Sequence, residues 1–369
     1  VISGFFQPRG LVGDIGGGSL EVAEALGDKV GERRASMPLG ALPVRKMLAE
    51  GFDQAKERVD TILSGALPPM LTQPDFYLVG GGWRALARVH IAENHYPISV
   101  VHGYEIPAEE LLDLAKRIAK MTPDEVAKLP DVPRRRIDTL TASAFVLWRL
   151  LRILKPDNAI FSAFGLREGW LYSQLDKEDY YRDPLVEGAQ SIGLPVARVP
   201  QFSKALGQWT ENLFPGETQD LRRIRLAACA LTDLAWRDHQ KIRAKDSFLR
   251  LLEFPFIGIS HSERAFLSVA ILARYGGKID AEVKDRIGQL LSSAELQRAE
   301  VLGRALLLGH RFSASVPEIL MQSEIKIDTD SVRLIVHSKA SVPDSDAVQS
   351  RLQKLGKALG IDDSEITRA

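Results

Sequence analysis

One cysteine, Cys229, stands in the whole 369-residue chain, so no internal disulfide can brace it, and a reducing compartment is expected. It lies in the apolar run Leu226-Ala227-Ala228-Cys229-Ala230-Leu231, the setting of a buried structural thiol rather than a reactive one. Net charge is lacking too. Forty-eight basic residues cancel 48 acidic ones, so the whole-molecule field favours no polyanion and any such partner must be recognised locally. No apolar run approaches the ~18 residues of a membrane helix, and the start of the chain lacks the charged and continuously apolar regions of a signal peptide. A soluble, cytoplasmic protein without a membrane partner is the expectation. Repeats and low-complexity tracts are absent. The first residue is not Met, and Val1-Ile2-Ser3-Gly4-Phe5-Phe6 runs straight into a strand-like segment, which leads us to expect a processed or shortened chain.

What is present is ordinary globular material. Hydrophobic residues make up 45% and charged residues 26%, and the length suggests two or three domains. Up to residue 172 short β-rich runs alternate with glycine clusters and helical stretches, an α/β pattern. Residues 10–15 read as a strand entering a glycine turn and residues 19–23 as the strand leaving it, a hairpin. Residues 76–79 form a second buried strand, followed by a glycine triplet and a helix over 83–94. Further helices open at Pro107 and at Thr122-Pro123, a long amphipathic helix spans 135–154, and residues 158–162 are a strand before a helix restarting at Leu166. From about 176 to 300 the strand signal disappears, which predicts an all-helical domain. Residues 323–328 and 332–337 then alternate around Thr329-Asp330-Ser331, and 344–359 is an amphipathic helix, so a small α+β tail closes the chain. The expected domains are 1–172, 173–300 and 301–369.

The strongest chemical signal is Asp14-Ile15-Gly16-Gly17-Gly18-Ser19. Three glycines between two strands let the backbone approach a ligand and turn its N–H groups inward, a nest that suits phosphate. An aspartate at its mouth can hold a divalent cation or orient a water, and Ser19 can donate to a phosphate oxygen. The bland alternative is a simple turn. A second triplet, Gly80-Gly81-Gly82, sits between a strand and a helix N-terminus, where free N–H groups and the helix dipole favour anions; here the alternative is close strand-to-helix packing.

Four blocks, GDIGGGSLEV at 13–22, YLVGGGWRALARVH at 77–90, RRRIDTL at 134–140 and SAFGLREGWLY at 162–172, resemble in order and spacing the exopolyphosphatase and guanosine-pentaphosphate phosphohydrolase family. The first block alone would fit the wider actin-like superfamily; the GLREG block is more specific. The resemblance implies an actin-like, ribonuclease-H-like lobe followed by a histidine-aspartate-phosphohydrolase-like helical domain and the α+β tail. It further implies hydrolysis of terminal phosphoanhydride bonds with Mg2+. By position, Asp14 falls at the magnesium and attacking-water side, Gly16, Gly17, Gly18 and Ser19 form one phosphate loop, and Gly80, Gly81 and Gly82 form the second. Arg167 falls on the family's arginine after the last strand, where it either touches phosphate or forms a fork salt bridge with Glu168. In the family a first subdomain with another phosphate loop and the general-base glutamate precedes these blocks; it is not in this sequence, so this chain is expected to be nearly inactive alone.

At the doublet position of the helical domain the chain reads Leu231-Thr232-Asp233-Leu234. The histidine of a His-Asp metal motif is missing, and Asp233, His239 and His261 are expected to serve packing rather than a metal. Arg222, Arg223, Arg225, Arg237, Lys241, Arg243 and Lys245 crowd one stretch. Helical spacing would place several on a common face, as a channel for a polyanion or as a solvated face balanced by Asp220, Asp233 and Asp238. No nucleic-acid motif accompanies them. The expected substrate is inorganic polyphosphate, with guanosine pentaphosphate as the alternative; a non-catalytic module binding either is the third reading, and a homodimer is implied by the resemblance.

Overall fold

The structure, a computed structural model, describes residues 1–67, 73–337 and 345–368. Along β1 (Arg9–Ile15), Leu11, Gly13 and Ile15 are buried and alternate with the less buried Val12 and Asp14, the period of a strand with one face on a core. The chain folds back as β2 (Leu20–Leu26) through a turn closed by the Gly16 amide donating to the Ser19 carbonyl at 2.9 Å. β3 (Lys29–Met37) lines the outer side of β2. After α1 (Ala41–Glu50) and α2 (Phe52–Ala66), β4 (Asp75–Val79) runs parallel to β1, and α3 (Gly81–Glu93) follows it. Then come β5 (Glu105–Pro107), α4 (Ala108–Ile118), the short α5 (Pro123–Val126) and α6 (Ile137–Leu154), and β6 (Asn158–Phe161) lies parallel to β4. The sheet order is β3-β2-β1-β4-β6-β5. In its first five strands only β2 opposes the rest, the ribonuclease-H-like order expected of an actin-like lobe.

Helix α6 is apolar nearly all round, so it sits inside the helical layer rather than on it. Trp83, Phe76, Phe145 and Leu147 are fully buried in the same core. The one charged residue buried in α6, Arg149, forks onto Asp60 of α2 with two 2.6 Å hydrogen bonds. Two short helices, α7 (Leu166–Ser173) and α8 (Lys177–Tyr180), end this part of the chain.

Contacts divide the protein into two compact units: residues 1–181 with 257–259, and residues 182–256 with 260–369. In the second, every described element up to Leu320 is helical: α9 (Pro184–Gly193), α10 (Phe202–Trp209), α11 (Gln219–Leu231), α12 (Arg243–Glu253), α13 (His261–Arg274), α14 (Ala281–Ile287), α15 (Ser293–Ser313) and α16 (Pro317–Leu320), with short 3-10 turns. Ser260 and Ser292 start α13 and α15 with capping boxes completed by Glu263 and Glu295. The antiparallel pair β7 (Ser323–Ile327) and β8 (Ser331–Val336) follows, then α17 (Asp346–Leu359) and β9 (Asp363–Arg368), which pairs parallel to β8. Asp344, expected to open the last helix, lies outside the described residues. No helix among the described residues is long and apolar enough to cross a membrane.

Candidate functional site

Because β1, β4 and β6 are parallel and in register, with Asp14 opposite Val79 and Leu78 opposite Phe161, their carboxyl ends share one edge of the sheet. Turns 16–19, 80–82 and 162–165 therefore lie side by side, the place where open α/β sheets hold ligands. Each turn is pinned from behind.

The first turn is held by α1. The amides of Ala41 and Leu42 donate to the carbonyls of Gly16 and Gly17 at 3.1 and 2.9 Å, and the Gly16 amide donates to the Ser19 carbonyl, so these three oxygens are occupied. Among the described residues the amides of Gly17, Gly18 and Ser19 have no backbone acceptor. Packing does not explain the glycines. A Cβ on Gly18 would meet nothing within 4 Å, those on Gly16 and Gly17 would only make ordinary contacts, and none of the three needs a left-handed backbone. Glycine faces open on the Cβ side, with the Gly16, Gly17 and Ser19 carbonyls tied down and three amides without a backbone acceptor, have the chemistry of an anion nest.

In the second turn the glycines do different work. Gly80, with φ at +115°, brings β4 against the Ile15 carbonyl, where any Cβ would clash. Gly82 makes room for Ser143 of α6, while the Trp83 indole donates to the Ser143 carbonyl at 3.0 Å. These two are packing glycines, as the bland reading held. Gly81 differs: the Arg136 guanidinium lies over it so closely that a side chain there would displace it.

The third turn is secured by hydrogen bonds. Glu168 Oε2 accepts from the Gly165 amide at 2.8 Å and caps α7, which holds its carboxyl below the usual range. No fork joins it to Arg167, whose side chain is exposed on the first turn of α7. His102 Nδ1 accepts from the Ala163 amide at 3.4 Å, so Nε2 carries the proton and donates to the Gly4 carbonyl at 2.8 Å.

Four charged side chains meet at this edge. Asp14, at the end of β1, has its carboxyl raised by burial and then by Glu21, its cross-strand neighbour, while Arg84 pulls the other way. Arg84, in the first turn of α3, donates to the Ala163 carbonyl. Its own pKa is lowered by burial and by Arg136 beside it, and Glu168 and Asp14 oppose that. Two adjacent guanidiniums and a half-buried carboxylate beside an amide nest form an arrangement that an anion bridged by a cation would complete. Magnesium suits the carboxylate, since it asks for one or two carboxylates together with phosphate oxygens. No group of three His, Cys, Asp or Glu side chains that could hold a metal forms among the described residues, so such an ion would be shared with the ligand. Sequence reasoning missed Arg84 and Arg136, although both stood inside blocks that carried the resemblance.

In the second unit the basic stretch does not form one face. α11 ends at Leu231 and α12 begins at Arg243, which breaks the helical spacing. Arg223 and Arg225 are buried: Arg223 pairs with Asp183 at 2.6 Å, and Arg225 with Glu217 at 2.8 Å. Asp233 meets neither His239 nor His261. It is held instead by Arg198, at 2.7 Å, and by Arg274, at 3.4 Å.

Residues 1–178 match the family described as "Ppx/GppA phosphatase family", and residues 185–365 match "Exopolyphosphatase, C-terminal". Retrograde regulation protein 2 of Saccharomyces cerevisiae is 26% identical over 333 residues, 81% of this chain and 55% of the yeast protein. Exopolyphosphatase 1 of Mycobacterium tuberculosis is 29% identical over 176 residues, 45% of this chain and 50% of that protein. Among solved structures, an Aquifex aeolicus Ppx/GppA family member is 27% identical over 47% of this chain and 58% of its own, with a TM-score of 0.40. This chain thus spans about half the length of the curated relatives it matches. With two family matches that together run through nearly all of it, the chain belongs to the Ppx/GppA phosphatase family.

Proposed function

We propose that this chain supplies one phosphate-holding wall of an exopolyphosphatase, which hydrolyses the terminal phosphoanhydride bond of inorganic polyphosphate and releases orthophosphate. The observation that carries this reading is the turn at 16–19, whose carbonyls are tied to α1 while its amides and bare glycine faces stay open beside Asp14, Arg84 and Arg136. In phosphoryl transfer the protein's share is mostly positioning and charge stabilisation. The amides of 17–19 and the two guanidiniums suit the non-bridging oxygens of a terminal phosphate. Asp14, with Ser19 nearby, is the group to hold Mg2+, which when bound neutralises charge on those oxygens. Gly80, Gly81 and Gly82 set the floor of the site, and Arg167, exposed at its margin, is placed for the next phosphate of a chain.

Guanosine pentaphosphate is the alternative substrate, and a module that binds either anion without turnover is the third reading. Exopolyphosphatase 1 among the relatives favours polyphosphate. In this reading the protein works in the cytoplasm as a homodimer, the helical segment derives from a histidine-aspartate phosphohydrolase module that has lost its metal, and the α+β segment is an appended domain. Orthophosphate release from long-chain polyphosphate with magnesium tests the proposal, on this chain and on any longer gene product that contains it. Turnover abolished by Asp14→Ala is expected of whichever form contains the whole site. Saturable binding of polyphosphate without release by either form would replace the enzyme reading with the binding module.

A further inference from the structure

The second unit holds a crowd of positive charge that the proposed reaction does not use. Asp233 is 2% exposed and accepts from Arg198 Nε at 3.2 Å, from Arg198 Nη2 at 2.7 Å and from Arg274 Nη2 at 3.4 Å. Arg274 Nε donates to Thr232 Oγ1 at 2.9 Å. His310 closes the ring: its Nδ1 accepts from Arg198 at 3.0 Å, so Nε2 carries the proton and donates to Thr232 Oγ1 at 2.9 Å. Burial, then Arg274 and Arg198, keep that imidazole neutral. Asp233 is thus the carboxylate that opposes the loss of charge on Arg274, in a cluster that also contains Arg243. Burial is the main force drawing the Arg274 guanidinium down to about 10; Tyr275 and Asp233 oppose it, while Arg198 and Arg243 are near enough to add to it by repulsion.

Three guanidiniums against one carboxylate leave an excess of two positive charges in a half-buried place, an expensive arrangement without a counter-charge. The donors are also underused. Among the described residues the Arg243 guanidinium makes no hydrogen bond or ion pair and rests over the Tyr275 ring, 5.8 Å from its centroid. Arg237 likewise lies only over Trp236, at 5.1 Å, and Arg198 stands over the same ring at 5.7 Å. The indole is fixed by donating to the Val196 carbonyl at 2.7 Å, and the Tyr275 hydroxyl by accepting from the Ala235 amide at 2.9 Å. Two anchored rings therefore hold the Arg237 and Arg243 guanidiniums with their donors unused among the described residues, and the Arg198 side chain is 36% exposed, so the cluster opens to solvent.

We propose that Arg198, Arg237, Arg243 and Arg274 form a second anion site, which takes a phosphate-bearing small molecule carrying two or more negative charges. A phosphate group with two or more charges offsets the excess, and its oxygens match guanidinium forks better than a single carboxylate does. The site is built entirely from the second unit and does not depend on the reading given to the first.

Inorganic pyrophosphate is the probe, titrated into the whole chain by calorimetry and by tryptophan fluorescence. Binding is expected to change the emission of Trp236, and Trp236→Phe to remove that optical change while the calorimetric signal remains. Arg243→Gln, which keeps the packing on Tyr275 and removes the charge, is expected to weaken binding about tenfold or more. Arg237→Glu should do the same from an exposed position where folding is not at stake. Lys284→Ala, an exposed base on α14, should leave this signal unchanged. A nucleoside diphosphate that binds more tightly than pyrophosphate would assign the site to a nucleotide, and equal affinity would assign it to the anion alone. Affinity unchanged in both Arg243→Gln and Arg237→Glu, or no saturable binding by the wild-type chain at millimolar pyrophosphate, overturns the proposal.

Discussion

Two glycines a few ångströms apart separate what holds the first glycine turn from what we propose the turn holds. Gly40, the residue before α1, has ordinary extended angles of −69° and 169° that any residue can adopt. The space beside it is the constraint. A Cβ there would lie 2.6 Å from the Gly17 carbonyl carbon, and closer still to Gly18 and the Ser19 amide nitrogen, where carbon contacts normally sit at about 3.5–4.0 Å. Gly40→Ala must therefore push α1 and the turn apart by about 1 Å. Overpacking of this kind and the loosening of the two hydrogen bonds from Ala41 and Leu42 together cost about 2–6 kcal/mol. A 1 Å displacement of a positioned group is worth about 10²-fold in turnover. Gly18→Ala is the converse: its Cβ meets nothing within 4 Å, so stability should stay within about 0.5 kcal/mol, while the methyl group fills the space a phosphate would occupy. Calorimetric unfolding and polyphosphate binding, run on both variants, read the two effects apart. The expected result is an unstable Gly40→Ala and a stable Gly18→Ala that binds at least about tenfold more weakly. A Gly18→Ala chain that binds like wild type would refute an anion nest at this turn, and a Gly40→Ala chain as stable as wild type would refute the close approach.

Asp14→Asn should melt at a higher temperature than wild type at pH 7. Burial and Glu21 raise the Asp14 carboxyl in the folded state, so the unfolded chain gives up this proton first and stability drops as pH rises from the ordinary carboxylate range through the raised value; melting curves of the two proteins that coincide at pH 4 and at pH 7 would contradict this. Asp233→Leu leaves the buried Arg274 without its counter-charge, a loss of about 3–5 kcal/mol, which corresponds to roughly 6–20 °C in the melting of the second unit. Cys229, 1% exposed and with its thiol pushed up to about 12 by burial, should react with a thiol reagent only as fast as the second unit opens. A rapid stoichiometric reaction in native buffer would show that the helix around it is not packed as described.

Much of the first unit was legible because its signals are local. The strand–glycine–strand pattern at 10–23 and the strand–glycine–helix pattern at 76–94 return as β1–β2 and β4–α3. β3 was not legible, and its burial shows why: of Lys29–Met37 only Met37 is buried, so no apolar alternation marks it, and pairing with β2 alone makes it a strand. β9, with the sequence DSEITR, is strand for the same reason beside β8. The expected common face of basic residues in the second unit failed because periodicity was carried across a helix end at Leu231 and could not show that Arg223 and Arg225 point inward to carboxylates.

From its sequence alone this protein declares an α/β region followed by helices, and two glycine turns with an aspartate at the mouth of one. Those are properties of residue type and spacing along the chain, and they survive without any fold. Which glycines are required by packing, and which arginines stand beside Asp14, are decided only when parallel strands bring turns 16–19, 80–82 and 162–165 to one edge. Arg84 and Arg136 are 52 positions apart in the chain, and it is the packing of α6 against α3 that sets their guanidiniums beside each other. Long-range pairing of this kind is decided by close packing and charge in three dimensions, which a one-dimensional pattern does not encode.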